Sequence, residues 1–184
     1  MNDRLEDELR PEYDLSKLKG KVRGKYVERY KQMQSIEHLQ HLFTYNDWAN
    51  RRILEALKEN PSERARRILA HLLITEKEYF QRLYGKDSTG FDFWQDLSIE
   101  ECGELERETA GIYKQLLSEF KEEDLETVAR YKNSAGESYE NNYRELFSHV
   151  LLHSATHRGN IMLKLREEGF TPPMIDYIIY LREI

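Results

Sequence analysis

A single cysteine, Cys102, stands in 184 residues. One thiol cannot close an internal disulfide, and a reducing cytoplasm is the simplest home for such a chain. Long apolar runs are missing too: no stretch approaches the roughly 18 consecutive apolar residues that span a bilayer. Met1 to Arg10 is too polar for a secretory leader, so no membrane role is expected. No internal repeat or low-complexity tract interrupts the chain. The composition is 39% apolar and 34% charged, the balance of a soluble, helix-rich protein whose elements are amphipathic. The length suits one domain with an appendage, large enough to bury a real core.

Helix boundaries are marked by capping residues. Ser35 can cap a first helix through Ile36, Leu39, Leu42, Phe43, Ala49, Ile53 and Leu57, ending near Asn60. Asn60, Pro61 and Glu63 then read as a cap, an N1 proline and an N3 carboxylate, launching a second helix through Leu69, Leu72, Leu73, Phe80 and Leu83 to a stop at Gly85. Ser98 and Glu101 form a capping box for a third, which carries Leu105, Ile112, Leu116, Leu117 and Phe120. The fourth runs from about Asn142 to Glu168 and is stopped by Gly169, with Pro172 and Pro173 beyond. An apolar tail, Met174 to Leu181, reads as a short final helix. Between the third and fourth, Val128, Tyr131 and Tyr139 flank the turn-like Asn133-Ser134-Ala135-Gly136, a small hairpin or an irregular loop. Four amphipathic helices bury their stripes most simply against one another, so an all-α four-helix bundle is expected.

Chemistry concentrates in the fourth helix. Half of the six histidines, His149, His153 and His157, recur there at four-residue intervals, followed by Arg158 and Gly159. Side chains at i and i+4 share a helix face about 5 to 6 Å apart, close enough for two imidazoles to ligate one metal ion. With Leu146 at zero and 100° per residue, His157 falls at about 20°, His153 at about 340° and His149 at about 300°. His153 and His157 thus take positions where Leu or Ile is expected, and a buried imidazole is costly unless both nitrogens are satisfied. A metal would satisfy them. The alternative, a helix whose histidines are merely hydrogen-bonded or half exposed, stays open on periodicity alone.

The first 34 residues differ in character. Lys17, Lys19, Lys21, Arg23, Lys25, Arg29 and Lys31 face one acid, Glu28, a local charge of +6 in a chain of −6, which leaves −12 for the rest. Such an arm invites contact with nucleic-acid phosphates, although packing against the acidic bundle or simple solvation is the commoner fate of a charge run. Nucleic acid is therefore the minor reading.

Several segments together resemble a known family. They are Tyr45-Asn46-Asp47-Trp48-Ala49-Asn50-Arg51-Arg52, His71-Leu72-Leu73 with Glu76, His153-Ser154-Ala155-Thr156-His157-Arg158-Gly159-Asn160, and Pro172-Pro173-Met174-Ile175-Asp176-Tyr177. In order and spacing these are similar to the DinB/YfiT-like superfamily of bacterial metal-binding four-helix bundles, DinB being the damage-inducible protein and not the polymerase of that name. The resemblance covers roughly residues 35 to 184. It implies a divalent metal held by His71, His153 and His157; periodicity alone places His71 toward the edge of its apolar stripe. His149, His38 and His41 gain no such support and are read as flanking. The family often has Gln after the Arg-Gly pair where this chain has Asn160. Tyr13 to Tyr26 resembles a leader segment of small bacterial antitoxin-like proteins, a fused interaction segment at most.

Other polar residues carry two readings each. Glu76, at the centre of the second helix's stripe, is either a buried carboxylate orienting a ligand or a basic partner, or a long side chain reaching the bundle's end. Arg158 is a candidate for binding a substrate or cofactor anion beside the metal, and equally a partner for an acid on another helix. Trp48, Tyr45 and Tyr139 read as core or pocket wall.

Three neutral nitrogen ligands leave coordination positions open, the pattern of a catalytic site. A thiol entering such a position is deprotonated by the cation. Several relatives are thiol-dependent transferases, so the resemblance implies a metal-dependent transferase acting with a low-molecular-weight thiol and an electrophilic substrate. The alternatives are a non-catalytic metal-binding stress or interaction protein, and a DNA-associated regulator working through the arm. Zinc, nickel and iron all suit imidazole, so the ion is not fixed by the ligand type. A homodimer is expected from the apolar tail and paired bundle faces, and from the family.

Overall fold

The computed structural model describes residues 35–184. The basic arm and the leader-like segment expected over residues 1–34 lie outside them.

Helix α1, Ile36–Glu59, starts where expected: the Ser35 hydroxyl accepts the His38 N–H. Helix α2, Glu63–Arg82, starts later than read from the sequence, because Ser62 and not Asn60 is its cap, the Ser62 Oγ accepting from Ala65 N–H. Asn60 instead closes α1, its backbone N–H and its side-chain amide both donating to the Ala56 carbonyl. Pro61 therefore precedes the cap. Helix α3, Ile99–Glu119, has the reciprocal box expected of Ser98 and Glu101, with bonds of 3.1 and 2.7 Å.

A 3-10 turn at Glu122–Glu126 leads into the hairpin, β1 Val128–Lys132 antiparallel to β2 Ser138–Asn142, with Tyr131 opposite Tyr139. Its turn is closed by Asn133, whose Oδ1 accepts the N–H groups of Ala135 and Glu137, and by Gly136 at φ +82°. Tyr139 stands exposed on this hairpin and is not the core or pocket-wall residue expected. Helix α4, Tyr143–Glu167, carries a second reciprocal box through Asn142 and Glu145, and Gly169 turns the chain at φ +84° just beyond its end. Helix α5, Tyr177–Glu183, begins three residues later than Met174. The carbonyls of Met174 and Ile175 are taken by Arg52 and Tyr45 of α1, which holds that stretch extended against the bundle.

The four long helices form the expected bundle: α1 packs on α3, α3 on α2, α2 on α4 and α4 on α1. The core has two apolar layers. One gathers Ile53, Leu69, Leu72, Leu73, Cys102, Ile161 and Leu165; the other gathers Phe43, Tyr113, Leu117, Phe147 and Val150. On every helix the residues between these two sets are polar and buried: Asn46 and Asn50, Thr75 and Glu76, Glu106 and Thr109, Ser154 and Arg158. A polar layer thus crosses the bundle at mid-height. Among the described residues no helix is long and apolar enough to cross a membrane.

Candidate metal centre

The buried row of α4 is Leu146, Phe147, Val150, Ser154, Arg158, Ile161 and Leu165. Its centre lies one residue around the helix from the position that the apolar residues alone suggest. His153 and His157 are therefore half-buried at the stripe's edge, while Ser154 and Arg158 take the core positions. That edge faces α2. There His71 is buried, contrary to its place on the edge of its own stripe, because α2 is covered nearly all round: every residue from Leu69 to Glu76 is buried between α3, α4 and the loop that follows α2.

The three histidines meet. One ring nitrogen from each of His71, His153 and His157 lies within 4.8 Å of the others. The His71 Nδ1 is 2.9 Å from the Phe93 carbonyl, which can only accept, so Nδ1 carries the proton and Nε2 keeps the lone pair. A carbonyl fixing a ring's tautomer in this way is the usual support of a metal-ligating histidine. Trp94, half exposed, stacks flat on the same imidazole at 3.9 Å and 5°. The Nδ1 atoms of His153 and His157 are sealed from solvent with no hydrogen-bond partner. Leaving such atoms unmatched costs about 1 to 3 kcal/mol each.

All three rings are held neutral. Burial lowers the His71 pKa, against the opposing pull of the Phe93 carbonyl. Burial lowers His153 to about 3, helped by the neighbouring His157, His71 and His149, and lowers His157 with help from His71. Neutral imidazole is the form that ligates. Three nitrogen donors, free of competing protons and joined by no carboxylate or thiolate in the group, fit a divalent transition metal with coordination positions left over.

The remaining candidates lie elsewhere. His149, one turn before His153, stays outside the triad and stacks on Tyr79 at 4.4 Å. His41 packs its ring against Tyr177 and Tyr180. Arg158 does not present itself to an incoming anion: it is only 2% exposed, and its guanidinium donates to the side-chain oxygens of Asn46 and Asn50. The acid that it faces is Glu76, whose Oε1 accepts from Asn46, Asn50 and Ser154 at 2.7, 3.1 and 2.7 Å. Of the two readings of each residue, the buried partnership is the one the structure has. Burial pushes the Glu76 carboxyl up, while the two asparagines, Ser154 and Arg158 pull it down.

Phe93 and Trp94 escaped the sequence reading. They sit in the loop between α2 and α3, where no periodicity operates, and a tryptophan in such a loop is the one signal they offer. Cys102 is buried in the core with its thiol pushed up to about 11 by burial, so it is no nucleophile.

The fold has counterparts. A crystal structure of a DinB-like protein from Bacillus cereus superposes with a TM-score of 0.58 over 77% of this chain and 97% of that one, at 18% identity. Protein DinB of Bacillus subtilis is 27% identical over 76% of this chain and 91% of its own length. The DinB family model matches residues 33–183, nearly the whole described bundle. The chain belongs to the DinB family.

Proposed function

We propose that this protein binds a divalent transition metal, zinc, nickel or iron, through His71, His153 and His157, and uses it to transfer a low-molecular-weight thiol to an electrophile. The observation that carries the reading is the convergence of three neutral imidazoles, joined by no fourth ligand among the described residues. A metal held this way supplies Lewis acidity and stabilises a thiolate at neutral pH. The protein's part is to hold the three rings, and Phe93 fixes the protonation of one of them. Trp94 offers a flat apolar wall beside the triad, suited to the body of an electrophilic substrate. The anion contact for the thiol's carboxylates must come from a residue other than Arg158.

Metal analysis of the purified protein, followed by a thiol-conjugation screen with and without chelator, tests both parts. Near-stoichiometric metal with chelator-sensitive conjugation supports the proposal; metal without conjugation for any thiol leaves the non-catalytic metal-binding reading in its place. A homodimer is part of the same proposal. Met174, Ile178, Leu181 and Ile184 expose apolar surface at the C-terminal end, and light scattering that stays at monomer mass on concentration would refute it. A cytoplasmic location agrees with the lone buried cysteine.

A further inference from the structure

A cavity of about 510 Å³ opens between α1 and α3, and none of the three histidines lines it. Its size is that of a small-molecule site. One wall is apolar: Phe43 and Tyr113 stack on each other at 4.5 Å, with Leu117 beside them. Tyr113 is fixed there by donating its hydroxyl to the Glu76 carbonyl at 2.8 Å.

The other wall holds Glu106. Its side chain is only 3% exposed, and its Oε1 accepts no bond from an N–H or O–H of the described residues, its carboxyl lying instead within hydrogen-bonding reach of the Asp47 carboxylate. The nearest cation, Arg51, is committed to Asp47 at 2.8 Å and stands 3.9 Å from that oxygen, too far to donate. A buried acceptor beside a roomy cavity, with a second carboxylate next to it, is a vacancy for a donor that carries positive charge.

We propose that this cavity is a second ligand site, separate from the histidine triad, for a primary ammonium on an apolar body of aromatic size, with Glu106 as its ion-pair partner and Phe43 and Tyr113 as its wall. The groups facing Glu106 agree with this. Asp47 and Arg51 of α1, Glu76 of α2 and Lys114 of α3 surround the cavity, while Arg158 of α4 is occupied with Asn46 and Asn50. Burial, and then the Asp47 carboxylate, push the Glu106 carboxyl up to about 8, so without a cation it holds a proton at neutral pH. An entering ammonium takes that proton's place.

The test uses the full metal-loaded chain, with 2-phenylethylammonium as the probe and 2-phenylethanol as its neutral match, followed by calorimetry and by NMR shifts. The ammonium should bind saturably and at least about tenfold more tightly than the alcohol, the equivalent of about 1.4 kcal/mol. Its shifts should map to α1 and α3. Glu106→Gln keeps the side chain's shape and should remove that preference while leaving helical content and alcohol binding unchanged. His153→Ala should leave ammonium binding intact, which separates this proposal from the one for the metal. Equal binding of the two probes, an unaffected Glu106→Gln protein, or loss of binding in His153→Ala would each overturn it.

Discussion

The same two turns of α4 serve two polar sites that differ in every respect except position. His153 and His157 lie at the helix edge, half-buried, each with an Nδ1 that nothing among the described residues satisfies. Ser154 and Arg158 each follow by one residue, about 100° further round. They are fully buried and bonded, Ser154 to Glu76 and Arg158 to Asn46 and Asn50. A polar group whose bonds are all returned within the core serves the fold. One left half open and unmatched is built for something that comes from outside. Stability therefore resides in the Glu76–Arg158 network, and affinity for a metal in the triad.

The largest effect should come from the layer. Glu76→Ala strips the acceptor from Asn46, Asn50 and Ser154 and leaves the Arg158 charge buried beside an empty space. Glu76 and Arg158 are joined through Asn46 and Asn50, and removing one charge from such a buried network costs about 3 to 5 kcal/mol. His153→Ala, measured on the metal-free protein, should cost about 1 kcal/mol or less, since it removes a half-exposed ring with no bond to lose. Metal content should respond in the opposite order, falling sharply in His153→Ala. Urea unfolding of both metal-free variants settles this, and equal losses of stability would erase the division between the two sites.

A smaller effect separates the two sites by pH. Glu106 belongs to the polar layer, and its carboxyl is raised from the ordinary 4.5 to about 8 by burial and by Asp47. The native state keeps this proton where the unfolded chain has released it, so its contribution is complete below 4.5 and is lost as pH rises to about 8. Glu76, also raised, has the same sign. His153 runs the other way: lowered from 6.5 to about 3, it contributes fully above 6.5 and loses that contribution as pH falls toward 3. Above pH 6.5 only the acids act. Metal-free protein should therefore lose stability from pH 6.5 to 8, by at most about 1.4 kcal/mol per pH unit for each group. Glu106→Gln should flatten the slope; stability that rises across this window would contradict the placement of Glu106.

How much of this the sequence disclosed follows from where apolar residues do the talking. Caps at Ser35 and Ser98 and the four apolar stripes mark the bundle, because hydroxyl and hydrophobic spacing are local signals. The polar layer is silent to such a reading. Ser154 and Arg158 interrupt the apolar stripe of α4 at its centre, so the stripe's apparent axis turns toward the histidines and makes them look more deeply buried than they are. Asn46 and Asn50 share a face with Phe43 and Ile53, a phase that gives them away only once their partner across the bundle is known. His71 escapes periodicity for a different reason. Its burial comes from α4 and from Trp94, elements distant in sequence.

The smallest effect is the sharpest test of the boundary between ligand and neighbour. His149 sits on the same edge of α4 as His153, with ring centroids 5.7 Å apart, and spacing alone would admit it to the site. Its ring is instead spent on Tyr79, stacked at 4.4 Å and 27°. An exposed aromatic contact of this kind is worth about 0.5 kcal/mol, so His149→Ala should barely shift the unfolding midpoint. Bound metal, measured by elemental analysis after purification under identical conditions, should equal that of the unaltered protein, whereas His71→Ala should lose most of it. If His149→Ala emptied the site and His71→Ala did not, three histidines in line on α4 would be the ligands, and α2 would have no part in holding the metal.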